Sequence, residues 1–96
     1  MKKLKKGQLV EVTFADIESD PQWQSVEQRN GAKPPICTCV GHIDHQDADT
    51  LYLSSMMSGR DADLHKIPHG CISEIWALSY SGKQPLWRKL PYRIVK

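Results

Sequence analysis

The sequence has no apolar run long enough to cross a bilayer, which takes about 20 consecutive apolar residues. Its start, "MKKLKKG", has the charge of an export signal, but no apolar stretch follows it. We therefore expect neither an export signal nor a membrane partner. Cysteine is scarce too, with only Cys37, Cys39 and Cys71. An odd count without an export signal favours reduced thiols in a cytoplasm, so all three are predicted to be free and partly buried.

Motifs typical of catalytic or nucleotide sites are missing as well. There is no GxSxG, no Walker loop and no glycine-rich dinucleotide turn, and "SGK" at 81–83 lacks the glycines that precede such a lysine. Cys71 and His69 are near neighbours in a turn with no third group to orient them, which is a poor arrangement for a thiol nucleophile. The sequence therefore predicts a non-enzymatic protein without a cofactor.

Acidic residues are absent from both ends of the chain. Residues 1–6 and 79–96 carry nine lysines and arginines and no acids. The middle holds all 11 acids against four cations, an excess of seven negative charges. The favoured interpretation is that the basic ends fold back onto the acidic body, and the alternative is a basic arm for nucleic acid or an acidic partner.

Apolar and polar residues alternate in several short segments, the pattern of half-buried β-strands. The predicted strands span residues 8–14, 36–43, 50–57, 64–67 and 71–78. Strict alternation places Val10 and Val12 on one side of the first strand, and it places Ile72 and Trp76 on one side of the last.

A short helix is predicted at about 21–29, between the first two strands. Asp20 suits the N-cap, and Pro21 suits the first helical position, where its missing N–H costs nothing. Because so short a helix is marginal alone, Trp23 is expected to dock on the body and hold it.

Short strands at regular spacing with turn signals between them favour a mainly β fold. The expected architecture is a small SH3-like or Sm-like barrel of five to six strands with one short inserted helix. The chain is predicted to be a single domain, 1–96, with its barrel body at 7–78 and a basic aromatic tail at 79–96.

The stretch "GHIDHQDAD" (41–49) is the densest group of metal-ligand residue types. His42, Asp44 and His45 match only part of the "HxHxDH" element of zinc hydrolases, and further ligands are not evident. Aspartates are favoured in turns because their side chains accept bonds from nearby backbone N–H groups. We therefore interpret the stretch as a polar turn, with metal binding as the alternative. A meeting of His42, His65 and Cys71 across strands is conceivable, but nothing in their spacing requires it.

Aromatic residues alternate with basic ones in the tail, where an exposed Trp beside Arg is typical of an interface anchor. The candidate binding residues are Trp87, Arg88, Tyr92, Arg93 and, outside the tail, Trp23. Trp76 is expected to belong to the core of its strand.

Four segments, "GQLVEVTFADIESDPQW", "CTCVGHI", "TLYLSS" and "IPHGCISEIWAL", together resemble small phage- and prophage-encoded proteins of uncharacterised role. The resemblance covers residues 7–78. It implies a phage origin, a small β-barrel and expression inside a bacterial cell, and it carries no catalytic residue.

Three functions follow as hypotheses. The first is non-enzymatic binding in the host cytoplasm, where the protein blocks a host or defence-system protein by occupying its surface. The second is binding of nucleic acid or a signalling nucleotide, with phosphates held by lysine and arginine from both ends. The third and least favoured is a metal-dependent hydrolase at His42, Asp44 and His45. A homodimer through an unpaired edge or the tail is also expected.

Overall fold

The computed structural model describes residues 1–16 and 22–89, which form a mainly β structure. The strands are β1 (Leu9–Ala15), β2 (Ile36–Gln46), β3 (Thr50–Ser54), β4 (Met57–Ser58), β5 (Asp61–Ala62), β6 (His65–Pro68), β7 (Ile72–Ser79) and β8 (Gly82–Arg88). One helix, α1 (Val26–Gly31), lies between β1 and β2, and a 3-10 turn (His69–Cys71) joins β6 to β7. The mainly β prediction with one short inserted helix is confirmed.

The sheet is open, so the predicted closed barrel is wrong. Six antiparallel strands follow the order β6-β3-β2-β1-β7-β8, while β4 and β5 form a separate two-stranded hairpin. The edge strands β6 and β8 do not pair with each other. A proline has no N–H for a ladder, and Pro68 ends the four-residue β6 while Pro85 interrupts β8. Neither edge can therefore present a complete ladder for closure.

The hydrophobic core lies against one side of this sheet, called the inner face here. Val10 and Val12 of β1 are fully buried, as alternation predicted, and so are Leu51 and Leu53 of β3. The complete core is Leu4, Val10, Val12, Ile43, Leu51, Leu53, Ile67, Ile72 and Ile75. Side chains on the opposite, outer face remain exposed to other molecules.

A β-bulge in β7 changes which of its side chains face the core. Ser73 is an extra residue relative to β1, and its hydroxyl donates to the Thr13 carbonyl at 3.1 Å. The bulge lets Ile72 and Ile75 both face inward although they are three apart. Trp76 faces outward as a result, so the prediction that Ile72 and Trp76 share one side is wrong.

The helix α1 begins later than predicted and has a different cap. The Ser25 hydroxyl accepts from the Gln28 N–H at 3.1 Å, and the Gln28 side chain accepts from the Ser25 N–H at 2.8 Å. This reciprocal capping box satisfies two unpaired N–H groups at once. Trp23 is fully exposed, so its predicted docking is wrong, while Asp20 and Pro21 lie outside the described residues. No helix among the described residues is long and apolar enough to span a membrane.

Gly41 marks a close approach of β2 to β3 and provides a test of the fold. A Cβ on Gly41 would lie 2.8 Å from the Ser54 carbonyl oxygen, whereas a Cβ on Gly70 would meet nothing within 4 Å. We expect Gly41→Ala to lower the free energy of unfolding by about 1–3 kcal/mol, since the strands must separate to admit the methyl group. Gly70→Ala should leave it nearly unchanged. Urea denaturation measures both, and equal effects would contradict this packing of β2 on β3.

Candidate functional site

The outer side chains of β7 and β8, with the turn that joins them, form the first candidate site. We define this hairpin surface as Trp76, Tyr80, Lys83, Pro85 and Arg88. Trp76 is half-buried, and the Lys83 ammonium lies over its ring at 4.9 Å from the centroid. Tyr80, at the turn, is fully exposed. The surface therefore presents two aromatic rings beside two cations.

Each cation of the hairpin surface has an acidic neighbour. Lys83 Nζ lies 3.5 Å from a Glu11 carboxylate oxygen, and Arg88 Nη2 donates to Glu74 Oε2 at 3.3 Å. Glu11 pairs with Trp76 across β1 and β7, and Glu74 pairs with Arg88 across β7 and β8. For these two cations the folding back of the basic end onto acids is confirmed.

The candidate binding residues chosen from the sequence do not lie together on one surface. Trp87 is half-buried and packs against the core, so its expected exposure is wrong. The cause is a bulge at Leu86, which pairs Trp87 with the inward Ile75. Arg88 lies on the hairpin surface, and Trp23 lies apart on the segment before α1. Tyr92 and Arg93 lie outside the described residues.

The contacts of Asp47 show whether the stretch "GHIDHQDAD" is a polar turn or a metal site. Its Oδ1 accepts from the N–H groups of Asp49 and Thr50 at 2.9 and 2.8 Å, and its Oδ2 accepts from the Tyr52 hydroxyl at 2.8 Å. The backbone bond from Asp49, followed by the Tyr52 and Thr50 bonds, lowers the pKa of the Asp47 carboxyl. The stretch is therefore the end of β2 and a polar turn, as predicted, although β2 continues to Gln46.

The three residues of the metal hypothesis are not gathered around one point. Within residues 1–16 and 22–89, no group of three or more His, Cys, Asp or Glu side chains is placed to hold a metal ion. Asp44 is instead an extra residue in β2 relative to β3, and its carboxylate bonds to His45 Nδ1. His45 stacks on Tyr52 with ring centroids 4.0 Å apart and planes 12° apart.

Ser55, Asp63 and His65 form a polar cluster that the sequence analysis missed. Asp63 Oδ1 accepts from the N–H groups of Ser55 and Met56 at 2.8 and 2.9 Å, and Oδ2 accepts from the Ser55 hydroxyl. His65 Nε2 lies 3.0 Å from both Asp63 Oδ2 and Ser55 Oγ. No signal in the sequence marks this meeting, because it depends on the path of the β4–β5 hairpin.

The cluster has the residue types of a hydrolase triad but not its geometry. In a triad the aspartate holds one ring nitrogen and the serine faces the other. Here one nitrogen of His65 faces both partners, and the Ser55 hydroxyl donates to Asp63. The hydrogen bonds, the one from the Ser55 hydroxyl foremost, hold the pKa of Asp63 well below its usual range. The arrangement clamps the β4–β5 hairpin to the end of β3.

The cysteines behave as predicted from their number and setting. All three are free and half-buried. Burial, and secondarily the charge of Asp63, raises the pKa of the Cys39 thiol, which disfavours the reactive thiolate.

Comparison of the chain with family models, with curated proteins and with solved structures finds no match.

The Asp63 clamp makes stability depend on pH. A carboxyl whose pKa is lowered by folding stabilises the fold above its ordinary value of 3.8, and this contribution is lost as the pH falls below it. We expect Asp63→Ala to lower the urea midpoint at neutral pH, with the difference from the parent protein shrinking under acid. Asp61→Ala, on the same hairpin, is the control and should change the midpoint little. A difference that is constant with pH would contradict the clamp.

Proposed function

We propose that this chain is a non-enzymatic, phage-encoded binding protein that acts in the cytoplasm of a bacterial host. Its partner is a host or defence-system protein, whose surface it blocks by occupying it. The resemblance of residues 7–78 to small phage proteins supports the origin. The hairpin surface supports the mode of action.

The observation that carries the proposal is the composition of the hairpin surface. Aromatic residues and arginine are enriched among the residues that dominate protein–protein binding energy. Tyr80 is fully exposed at the turn, Trp76 is partly exposed, and Arg88 lies further along the same outer face. The Trp76 Nε1–H is buried and has no acceptor among the described residues, so an acceptor from a partner that reaches it would satisfy it.

The ion pairs on this surface do not prevent binding. Exposed pairs such as Lys83–Glu11 and Arg88–Glu74 contribute only about 0–1 kcal/mol each. A partner carboxylate can therefore compete with either glutamate for its cation. Specificity then comes from the alternation of acid and base across the surface.

The partner is expected to pack on side chains rather than extend the sheet. Pro85 lies in the edge strand β8 and removes one N–H from it, a feature by which proteins discourage strand addition. The same proline disfavours a homodimer formed by pairing of two β8 strands. The proposal therefore places recognition on the outer face and at the turn.

Affinity capture from a nuclease-treated bacterial lysate tests the proposal. We expect the tagged chain to retain a defined protein, and we expect Tyr80→Ala with Arg88→Ala to weaken its binding about tenfold or more, as loss of central anchors does. Binding of that protein, once identified, is measured by calorimetry.

The control is Met57→Ala with Arg60→Ala on the β4–β5 hairpin, where both residues are exposed. It removes one large side chain and one arginine from a different surface, so binding should persist. Equal loss in both variants, or retention only from a parallel lysate that received no nuclease, would exclude the hairpin surface as a protein-binding site.

A further inference from the structure

The lysine-rich start of the chain is held in a defined place. Gly7 N–H donates to the Ile43 carbonyl at 2.7 Å, which extends the pairing of β1 with β2. Beyond it, Leu4 is buried in the core, and its N–H donates to Gln46 Oε1 at 2.9 Å. The Gln46 amide in turn donates to the Lys2 carbonyl at 3.1 Å. We call residues 2–6 the N-terminal arm, which lies along the second half of β2.

The lysines of the N-terminal arm differ from the cations of the hairpin surface. All four, Lys2, Lys3, Lys5 and Lys6, are exposed. Among the described residues none of them forms an ion pair, whereas Lys83 and Arg88 each do. This end of the chain therefore folds back onto the body as expected, but among the described residues it does so without ion pairs to the acids. Four like charges held close together favour an anionic ligand.

Two of these lysines line a cleft to which His45 also belongs. Lys3 and Lys6 line an open cleft of ≈ 200 Å³ together with Asp44 and His45. Neither Lys2 nor Lys5 is among the residues that line this cleft. The arm thus places one pair of lysines at the cleft and another pair away from it.

The His45 ring is oriented as a platform. Asp44 bonds to its Nδ1, and Tyr52 stacks against one face. The side chain is nevertheless 53% exposed. Because one ring face is covered by Tyr52, the exposure belongs to the opposite face and the edge. A flat, oriented and accessible ring beside cations suits the stacking of a nucleobase.

The acidic groups in and near the cleft are bonded to neighbouring groups. Asp44 is bonded to His45, and Asp47 accepts three hydrogen bonds within its turn. Asp49 lies in the same turn, beyond Asp47. A phosphate is therefore expected at the ammonium groups of Lys3 and Lys6, with the base directed toward His45.

We propose that this cleft binds single-stranded nucleic acid, with phosphates at Lys3 and Lys6 and an unpaired base stacked on His45. The site is separate from the hairpin surface, because β1 lies between β2 and β7 in the sheet. Nucleic-acid binding at the cleft goes beyond the proposed protein binding. If the cleft does not bind nucleic acid, the proposed protein binding at the hairpin surface is unaffected. A duplex keeps its bases stacked on each other and leaves none for the ring, so it is expected to bind more weakly.

Fluorescence anisotropy of a short labelled oligodeoxythymidine with the full chain tests the lysines. Lys3→Gln with Lys6→Gln should weaken binding and reduce the slope of log affinity against log salt by about 1.4, since each contact with a single-stranded phosphate contributes about 0.7. Lys2→Gln with Lys5→Gln removes the same charge from outside the cleft and should change the slope much less. Equal changes in the two variants would overturn the site in favour of general attraction.

Variants of His45 test the stacking. His45→Ala should weaken binding roughly 5- to 100-fold, the range that loss of one stacked base gives. His45→Phe keeps a ring and should retain most of the affinity, which separates stacking from a structural defect. Unchanged binding by His45→Ala, or a duplex of equal length that binds as tightly as the single strand, would overturn the proposal.

Discussion

The burial of one face of a single antiparallel sheet is the constraint on which the rest of this structure depends. Apolar side chains from five strands and from Leu4 of the N-terminal arm fill that face. A chain of this size has no second core in which to place functional groups. The polar and aromatic side chains of both proposed sites therefore lie on the outer face, in the turns and on the arm. Both proposed sites lie there, on different pairs of strands.

Alternation located five of the six strands of the sheet, but it missed β8 and could not locate the bulges. The extra residues Asp44, Ser73 and Leu86 are defined only by the neighbouring strand, so they leave no periodic signal within their own strand. The effect on the candidate sites is large. The bulge at Asp44 brings His45 opposite Tyr52. Their stacking could not be predicted from the sequence of either strand alone, because it depends on how the two strands pair.

Local signals were more informative than long-range ones. The turn that Asp47 organises was predicted because its donors lie within five residues of it. The helix start was wrong because Ser25 with Gln28 forms a complete capping box, a stronger signal than a lone cap. Closure of the barrel was wrong because it needed pairing of β6 with β8, which no local pattern specifies. Both edge strands of the open sheet carry a proline, which removes one N–H from each.

The charge layout was visible in the sequence, but the partners of each charge were not. Register brings Glu74 opposite Arg88, and it places Glu11 next to the strand that carries Lys83. The arm has no such register, because its pairing with β2 ends at Ile43, just before the bulge. From there a buried leucine and the side chain of Gln46 hold it in place of a ladder. The bulge at Asp44, which orients the His45 ring, therefore lies at the point where the N-terminal arm stops pairing with β2. The positions of the ring and of the lysines both depend on this point.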